Sequence, residues 1–201
     1  MPGLLISYRR DDAEAYAGRI YDQLVLAFGK DAVFMDIDAI PVGEDFINVI
    51  ESALAKVQAV VVVIGPDWLG QQDSAGQRRL DDPDDFVRLE VLTALDRDIH
   101  VIPVLFRGAP MPAPEAFPSA LQRLSRRNAL EVGDARFHVD MEKLGVALAE
   151  IMIVASPVAG RASSSLAKPW FALAATVALL LIGTAMWRHF DPTEPHVSAT
   201  Q

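Results

Sequence analysis

Through the first 155 positions, short apolar runs alternate with stretches whose apolar residues recur at helical spacing. Leu4 to Tyr8 is a brief apolar run that ends in charge. Behind it, Ala13, Tyr16, Ala17, Ile20 and Leu24 fall on one face of a helix, and Asp11 with Glu14 forms its capping pair. AVFMD (32–36) reads as the second strand, and Phe46, Val49, Ile50, Ala53, Leu54 and Val57 as the stripe of a second helix. The strongest strand signal is AVVVVIG (59–65), β-branched and apolar on both faces, as suits the middle of a parallel sheet. Asp82-Pro83 opens another helix, with Asp as N-cap and Pro at the first helical position. HVIPVLF (100–106) is the fourth strand, which Pro103 leans towards a sheet edge or a bulge. A proline-rich loop then leads to a short helix near 116–126, ALEV (129–132) is a weaker fifth strand, and a last helix covers 139–154. Five strands alternating with helices predict an α/β domain, a parallel sheet with helices on both faces. Ligands of such sheets bind beyond the carboxyl ends of the strands. That singles out SYRRDD, DIDAIPVGED, GPDWLG and the loop before the helix at 83.

The pattern changes near the end of the chain. PWFALAATVALLLIGTAMW (169–187) has no charge, and as a helix it is roughly 28 Å long, close to the hydrocarbon thickness of a bilayer. Trp170 and Trp187 stand at its ends, with Lys168 and Arg188 flanking, so a transmembrane helix is expected over 169–188. Residues 156–168, small, polar and rich in Pro, Gly and Ser, read as a flexible linker, and 189–201 as a short polar tail. The N-terminus turns charged after eight residues, too early for a secretory leader. The expectation is a single-pass membrane protein with residues 1–155 in the cytoplasm and the tail outside.

Composition then resolves into two parts. The 201 residues are 51% hydrophobic yet carry a net charge of −9. The apolar excess belongs to the span, while residues 1–168 hold 25 Asp/Glu against 17 Lys/Arg. An acidic domain argues against nucleic acid as a partner. The absence of cysteine excludes disulfides, thiolate metal sites and thiol catalysis, and the four histidines lack metal-ligand spacing, so no metal is expected. No GxSxG, GxGxxG or Walker motif occurs. Asp11-Asp12 would suit a phosphoacceptor receiver domain, but strand three ends in Gly65-Pro66 without the acceptor Asp, and no Lys follows ALEV.

One carboxylate stands in an unusual setting. In DDFVRLEVLTALDRD (84–98), Glu90 projects between Phe86 a turn before and Thr93/Ala94 a turn after. A carboxylate among apolar neighbours suits polarised sugar hydroxyls or a developing cation. An exposed Glu, or one paired with Arg88 or Arg97, fits the same spacing. Arg9 and Arg10, directly past strand one, are placed to hold phosphates or carboxylates, or to be ordinary surface arginines. Ile40 and Val42 on a turn-rich loop suggest a contact surface, with a plain connection as the alternative.

The segments ISYRRDD, VFMDIDAIPVGEDF, VVVVIGPDWLG, DDPDDFVRLEVLTAL and VIPVLF, in this order, resemble a bacterial TIR (Toll/interleukin-1 receptor-like) domain over about residues 1–152. The resemblance implies a flavodoxin-like fold with strand order 2-1-3-4-5 and a BB loop from Asp36 to Glu44. It implies self-association with other TIR domains, in which Asp38, Ile40, Pro41, Val42 and Gly43 of that loop take part. One branch of the family hydrolyses NAD+ at the nicotinamide–ribose bond, as substrate and without a cofactor, while other members only scaffold. That branch carries a glutamate four residues after an aromatic on the third helix, the place of Glu90 after Phe86, although Trp is commoner there than Phe. Carried over, Glu90 is the catalytic residue. Tyr8, Arg9, Arg10, Phe34, Asp36 and Phe86 are substrate-binding, with Phe34 near the nicotinamide. The function implied is a membrane-anchored NAD+ hydrolase or cyclase acting in signalling, with a non-catalytic adaptor as the alternative. A bacterial inner membrane is the expected location.

Overall fold

In this computed structural model the described residues are 3–35, 43 and 45–155. The strand read as the most buried is the middle of the sheet. Strand β3 (Val57–Ile64) pairs in parallel with β1 (Gly3–Tyr8) on one side and β4 (His100–Phe106) on the other. The short strands β2 (Val33–Met35) and β5 (Leu130–Val132) close the two edges, giving the order β2-β1-β3-β4-β5. Helices α1 (Arg10–Phe28), α2 (Phe46–Leu54), α3 (Phe86–Asp96) and α4 (Phe137–Ala155) connect and cover them.

Alternation along the strands sorts the side chains into two cores. Leu4, Ile6 and Tyr8 of β1, with Ala59, Val61 and Val63 of β3, pack under α1 and α4. Leu5 of β1, with Val60, Val62 and Ile64 of β3, packs under α2, α3 and the segment around Leu121 and Leu124. The residues of α1 buried in the first core are Ala13, Tyr16, Ala17, Ile20 and Leu24, the stripe expected from their spacing.

Several local readings need correction. Helix α1 starts at Arg10 with no side-chain cap, so Asp11 and Glu14 are not its capping pair. Asp11 and Asp12 lie instead in the first turn, where carboxylates suit the positive end of the helix dipole. Asp82 does not cap α3 either: its side chain accepts from the Asp84 backbone N–H at 2.9 Å in a local turn. The cap is Asp85, whose Oδ1 accepts from the Arg88 N–H at 2.9 Å. Val57 leaves the helical stripe to begin β3. Pro103 lies in an interior strand, opposite Val62. It is tolerated because β5 joins β4 only from Val104 onward, so the missing N–H can face an unpaired side. The expected helix at 116–126 is two 3-10 pieces, Pro114–Ala116 and Ser119–Arg126, separated by Phe117 and Pro118. No helix among the described residues is long and apolar enough to cross a membrane. The stretch 169–188, with its linker and tail, lies outside them.

Candidate active site

The carboxyl ends of β1 and β3 and the start of α3 bring the polar groups together. Glu90 lies on the inward stripe of α3 with Val87, Val91, Ala94 and Leu95, and is only 8% exposed. Phe86, one turn earlier, is half-exposed at the first position of the helix. The pair therefore sets a buried acidic residue one helical turn from an accessible aromatic, on a helix whose start is tightly held.

What holds it is Arg9. Its guanidinium is buried and grips Asp85 with two hydrogen bonds, Nη1 to Oδ2 and Nη2 to Oδ1, both 2.9 Å. Its Nε donates to the Trp68 carbonyl at 3.3 Å, and its Cζ lies 5.8 Å from the indole centroid. Arg79 Nε adds a third cationic contact to Asp85 at 3.2 Å. Asp85 thus caps α3 and receives two arginines while almost wholly buried. Two charges removed from water this way persist only because the geometry is bidentate and further donors satisfy the carboxylate. Of the roles that its position after β1 left open, the guanidinium is not an ordinary surface arginine: it is buried and holds a carboxylate bidentately, that of Asp85 in the same chain. Arg10, next along, is exposed at the start of α1.

Among the described residues, the Ser7 hydroxyl, the Trp68 indole N–H and the Arg88 Nε are buried without a hydrogen-bond partner. Ser7 alternates with Tyr8, so it faces the α2/α3 side of the sheet. An unsatisfied buried donor costs about 1–3 kcal/mol, and a ligand or water that reaches it recovers that energy. The segments SYRRDD and GPDWLG that hold Ser7 and Trp68 were singled out from the sequence, but the two residues themselves were not, nor was Asp85.

The other expected site residues are more dispersed. Tyr8 turns to the α1/α4 core, the opposite side of the sheet from Glu90. Phe34 pairs beside Leu5, and its ring leans over Gly3, where an added Cβ would lie 2.7 Å from Cε2. That places the ring at the beginning of β1, away from Tyr8 and Arg9 at its end. Phe34 lines an open apolar groove of about 590 Å³ with Leu5, Val49, Ala53 and Val57, over the β2 edge. Gly43 is an exposed turn residue with φ +90°, a conformation that favours glycine. Asp36, Asp38, Ile40, Pro41 and Val42 lie outside the described residues.

On the far side of the rim, Asp12 rests against Gly65. Its Oδ1 accepts from the Asp67 N–H at 3.3 Å, and its Oδ2 is buried with no hydrogen-bond partner among the described residues. Burial pushes this carboxyl above its ordinary range, against the hydrogen bond from Asp67. A Cβ on Gly65 would meet Asp12 Oδ2 and lie 2.5 Å from two Phe106 ring carbons, which explains a glycine at the end of β3. Among the described residues, no group of three or more His, Cys, Asp or Glu side chains is placed to hold a metal ion.

With the doubly covered sheet and this rim in view, comparison with known proteins assigns the family. The model of the TIR domain family matches residues 4–141, and the chain belongs to that family. Among solved structures it is similar to the TIR domains of the activated Roq1 resistosome that directly recognizes the pathogen effector XopQ. The TM-score is 0.51 at 13% identity, covering 76% of this chain and 99% of that one. A metazoan TIR-STING receptor from C. gigas, in complex with 2′,3′-cGAMP, matches at TM-score 0.47 and 18% identity, over 71% of this chain and 39% of that one. No curated protein matches.

Proposed function

We propose that this TIR-domain protein acts in signalling as a membrane-anchored NAD+ hydrolase or cyclase that switches on when TIR domains assemble. The observation that carries the reading is Glu90, buried on α3 one turn from the half-exposed Phe86 and behind the Asp85 cap. The carboxylate would hold the nicotinamide-side ribose hydroxyls and stabilise the oxocarbenium-like charge as the bond from C1′ to the nicotinamide nitrogen breaks. Nicotinamide leaves with the bonding electrons and neutralises its own positive charge, so no acid partner is required. Water, or a hydroxyl of the same ADP-ribose, then attacks C1′ and releases a proton. Phosphate binding falls to Arg10, because the Arg9 guanidinium is committed to Asp85 and the Asp12 and Ala13 N–H groups to the Arg9 carbonyl. The BB loop supplies the contact between domains. A span at 169–188 in a bacterial inner membrane would confine the domains to a surface and raise their effective concentration.

The test is nicotinamide release from NAD+ by the full chain in vesicles, at rising surface density. Wild-type turnover should climb with density, and Glu90→Ala should lose at least about a hundredfold while keeping its circular dichroism, a loss of the size expected when transition-state charge is left unstabilised. The engagement of Arg9 favours one competitor, the adaptor that binds other TIR domains without turnover. Absence of nicotinamide at every density, with self-association intact, would establish it.

A further inference from the structure

The connection into α3 holds two helix-start signals three residues apart, and the structure uses both. Asp82 (φ −71°, ψ 118°) has the extended backbone of a cap, and Pro83 follows where a first helical residue would stand. The Asp82 side chain accepts from the Asp84 N–H at 2.9 Å, and the Asp85 N–H closes a turn onto the Asp82 carbonyl at 3.2 Å. This first start goes no further than that turn. Asp85 keeps a helical φ of −66°, but its ψ of 125° is extended, and α3 begins afresh at Phe86 with Asp85 as its cap. One backbone rotation at Asp85 separates the observed start from a helix running unbroken from Pro83.

Local preference favours the unbroken helix, which would have Pro at its first position and Asp84 and Asp85 in its first turn. One saturated carboxylate opposes it. Asp85 Oδ1 accepts from Arg9 Nη2 and the Arg88 N–H, and Oδ2 from Arg9 Nη1 and Arg79 Nε. A capping residue has non-helical backbone, so the bond to the Arg88 N–H and an unbroken helix exclude each other. Arg9 fixes the carboxylate in that role from the end of β1, with its own Nε on the Trp68 carbonyl. The choice of start decides what surrounds Phe86. Helical side chains lean towards the N-terminus. No turn of α3 precedes Phe86, and it is 41% exposed. An unbroken helix would set Asp82 and Pro83 four and three residues before it, the positions that neighbour it on a helix face.

We propose that Arg9 and Asp85 are positioning residues: their ion pair holds α3 to the second start, which keeps Phe86 exposed at the rim one turn from Glu90. Arg9 then serves turnover through Asp85 and not through the phosphates of the substrate. The effect on turnover rests on the NAD+ reading, whereas the effect on α3 stands without it.

Two measurements on the full chain test this, NMR of the labelled protein in detergent and nicotinamide release from NAD+ in vesicles. In Arg9→Gln the Asp85 Cα chemical shift should move from extended to helical, and the Val87 amide should gain protection from exchange as it reaches the Pro83 carbonyl. The double variant Arg9→Gln with Asp85→Asn leaves no charge of the pair buried alone, and reads the same Val87 amide where a single variant fails to fold. In turnover, Arg9→Gln and Asp85→Asn should each lower kcat about ten- to a hundredfold while KM moves less than about threefold. The double variant should lose no more than either, and Arg9→Lys, which keeps the charge, should recover part of the loss. A phosphate-binding Arg9 requires the reverse of Asp85→Asn, because removing the carboxylate would free the guanidinium and lower KM. That result overturns the proposal, and so do losses that add in the double variant. Residues 83–85 that stay extended without Arg9 also overturn it. Wild type without nicotinamide release removes the NAD+ reading, and the NMR then decides the clamp by itself.

Discussion

Gly65 illustrates how much a single position can carry. The chain leaves β3 there, and the space of the missing side chain is filled by the Asp12 carboxylate and the Phe106 ring. Both neighbours are constrained: Phe106 is buried and stacks on Tyr16 at 4.5 Å between centroids, and Asp12 is tied to the Asp67 N–H. Neither can yield cheaply, so Gly65→Ala should destabilise the domain by about 1–3 kcal/mol, the usual cost of overpacking. Urea denaturation checks this, and a variant as stable as wild type would mean that Asp12 moves freely. The sequence marked Gly65 as the end of strand three and the first residue of the GPDWLG segment at the sheet rim. It held no sign of Asp12 above it, because a contact between residues 12 and 65 has no local periodicity to betray it.

At the scale of elements, α3 is the part whose position matters most, and its start is set by a group from another strand. Arg9 comes from the end of β1, Asp85 from the start of α3, and Trp68 from the loop after β3, so one guanidinium ties three segments together. Removing one partner leaves the other buried and uncompensated, which costs roughly 3–5 kcal/mol. Arg9→Ala and Asp85→Ala should therefore each destabilise strongly. The double variant should cost little more than either alone, and denaturation of all three closes the cycle. Additive losses would show that the two side chains act independently. From the sequence, the helix around Glu90 was legible and its start was misplaced at Asp82-Pro83. Local rules rank Asp-Pro as a good beginning, whereas the ion pair with Arg9 selects Asp85.

For the molecule as a whole, acid stability follows from carboxylates whose environments differ. Asp140, in the first turn of α4, accepts from Lys143 and Arg136 at 3.1 Å and from the Gly133 N–H at 3.3 Å. The hydrogen bond from Lys143 leads in holding its carboxyl below the ordinary range. A carboxyl lowered on folding stabilises above its unfolded pKa of about 4, and that contribution fades as pH falls through the lower folded value. Asp12 has the opposite sign: raised on folding, it favours the folded state at low pH and loses that advantage as pH rises through its folded value. Asp140→Asn should therefore lower the melting temperature at neutral pH, with the gap to wild type closing once both are acidified below the carboxylate range. A gap that persists at low pH would assign the loss to packing instead.

The amino-acid sequence determined the α/β alternation, the order of strands and helices along the chain, the buried middle strand, the amphipathic stripe of α1 and the Phe86–Glu90 spacing. All of these are periodic or contiguous features, written by neighbours a few residues apart. Tertiary structure alone decided that Arg9 is a buried clamp, that Tyr8 and Glu90 lie on opposite sides of the sheet, and that Phe34 leans towards the beginning of β1. The reason is physical: burial, ion pairing and surface charge depend on residues brought together by the sheet, and a parallel sheet brings together segments that are far apart in the chain.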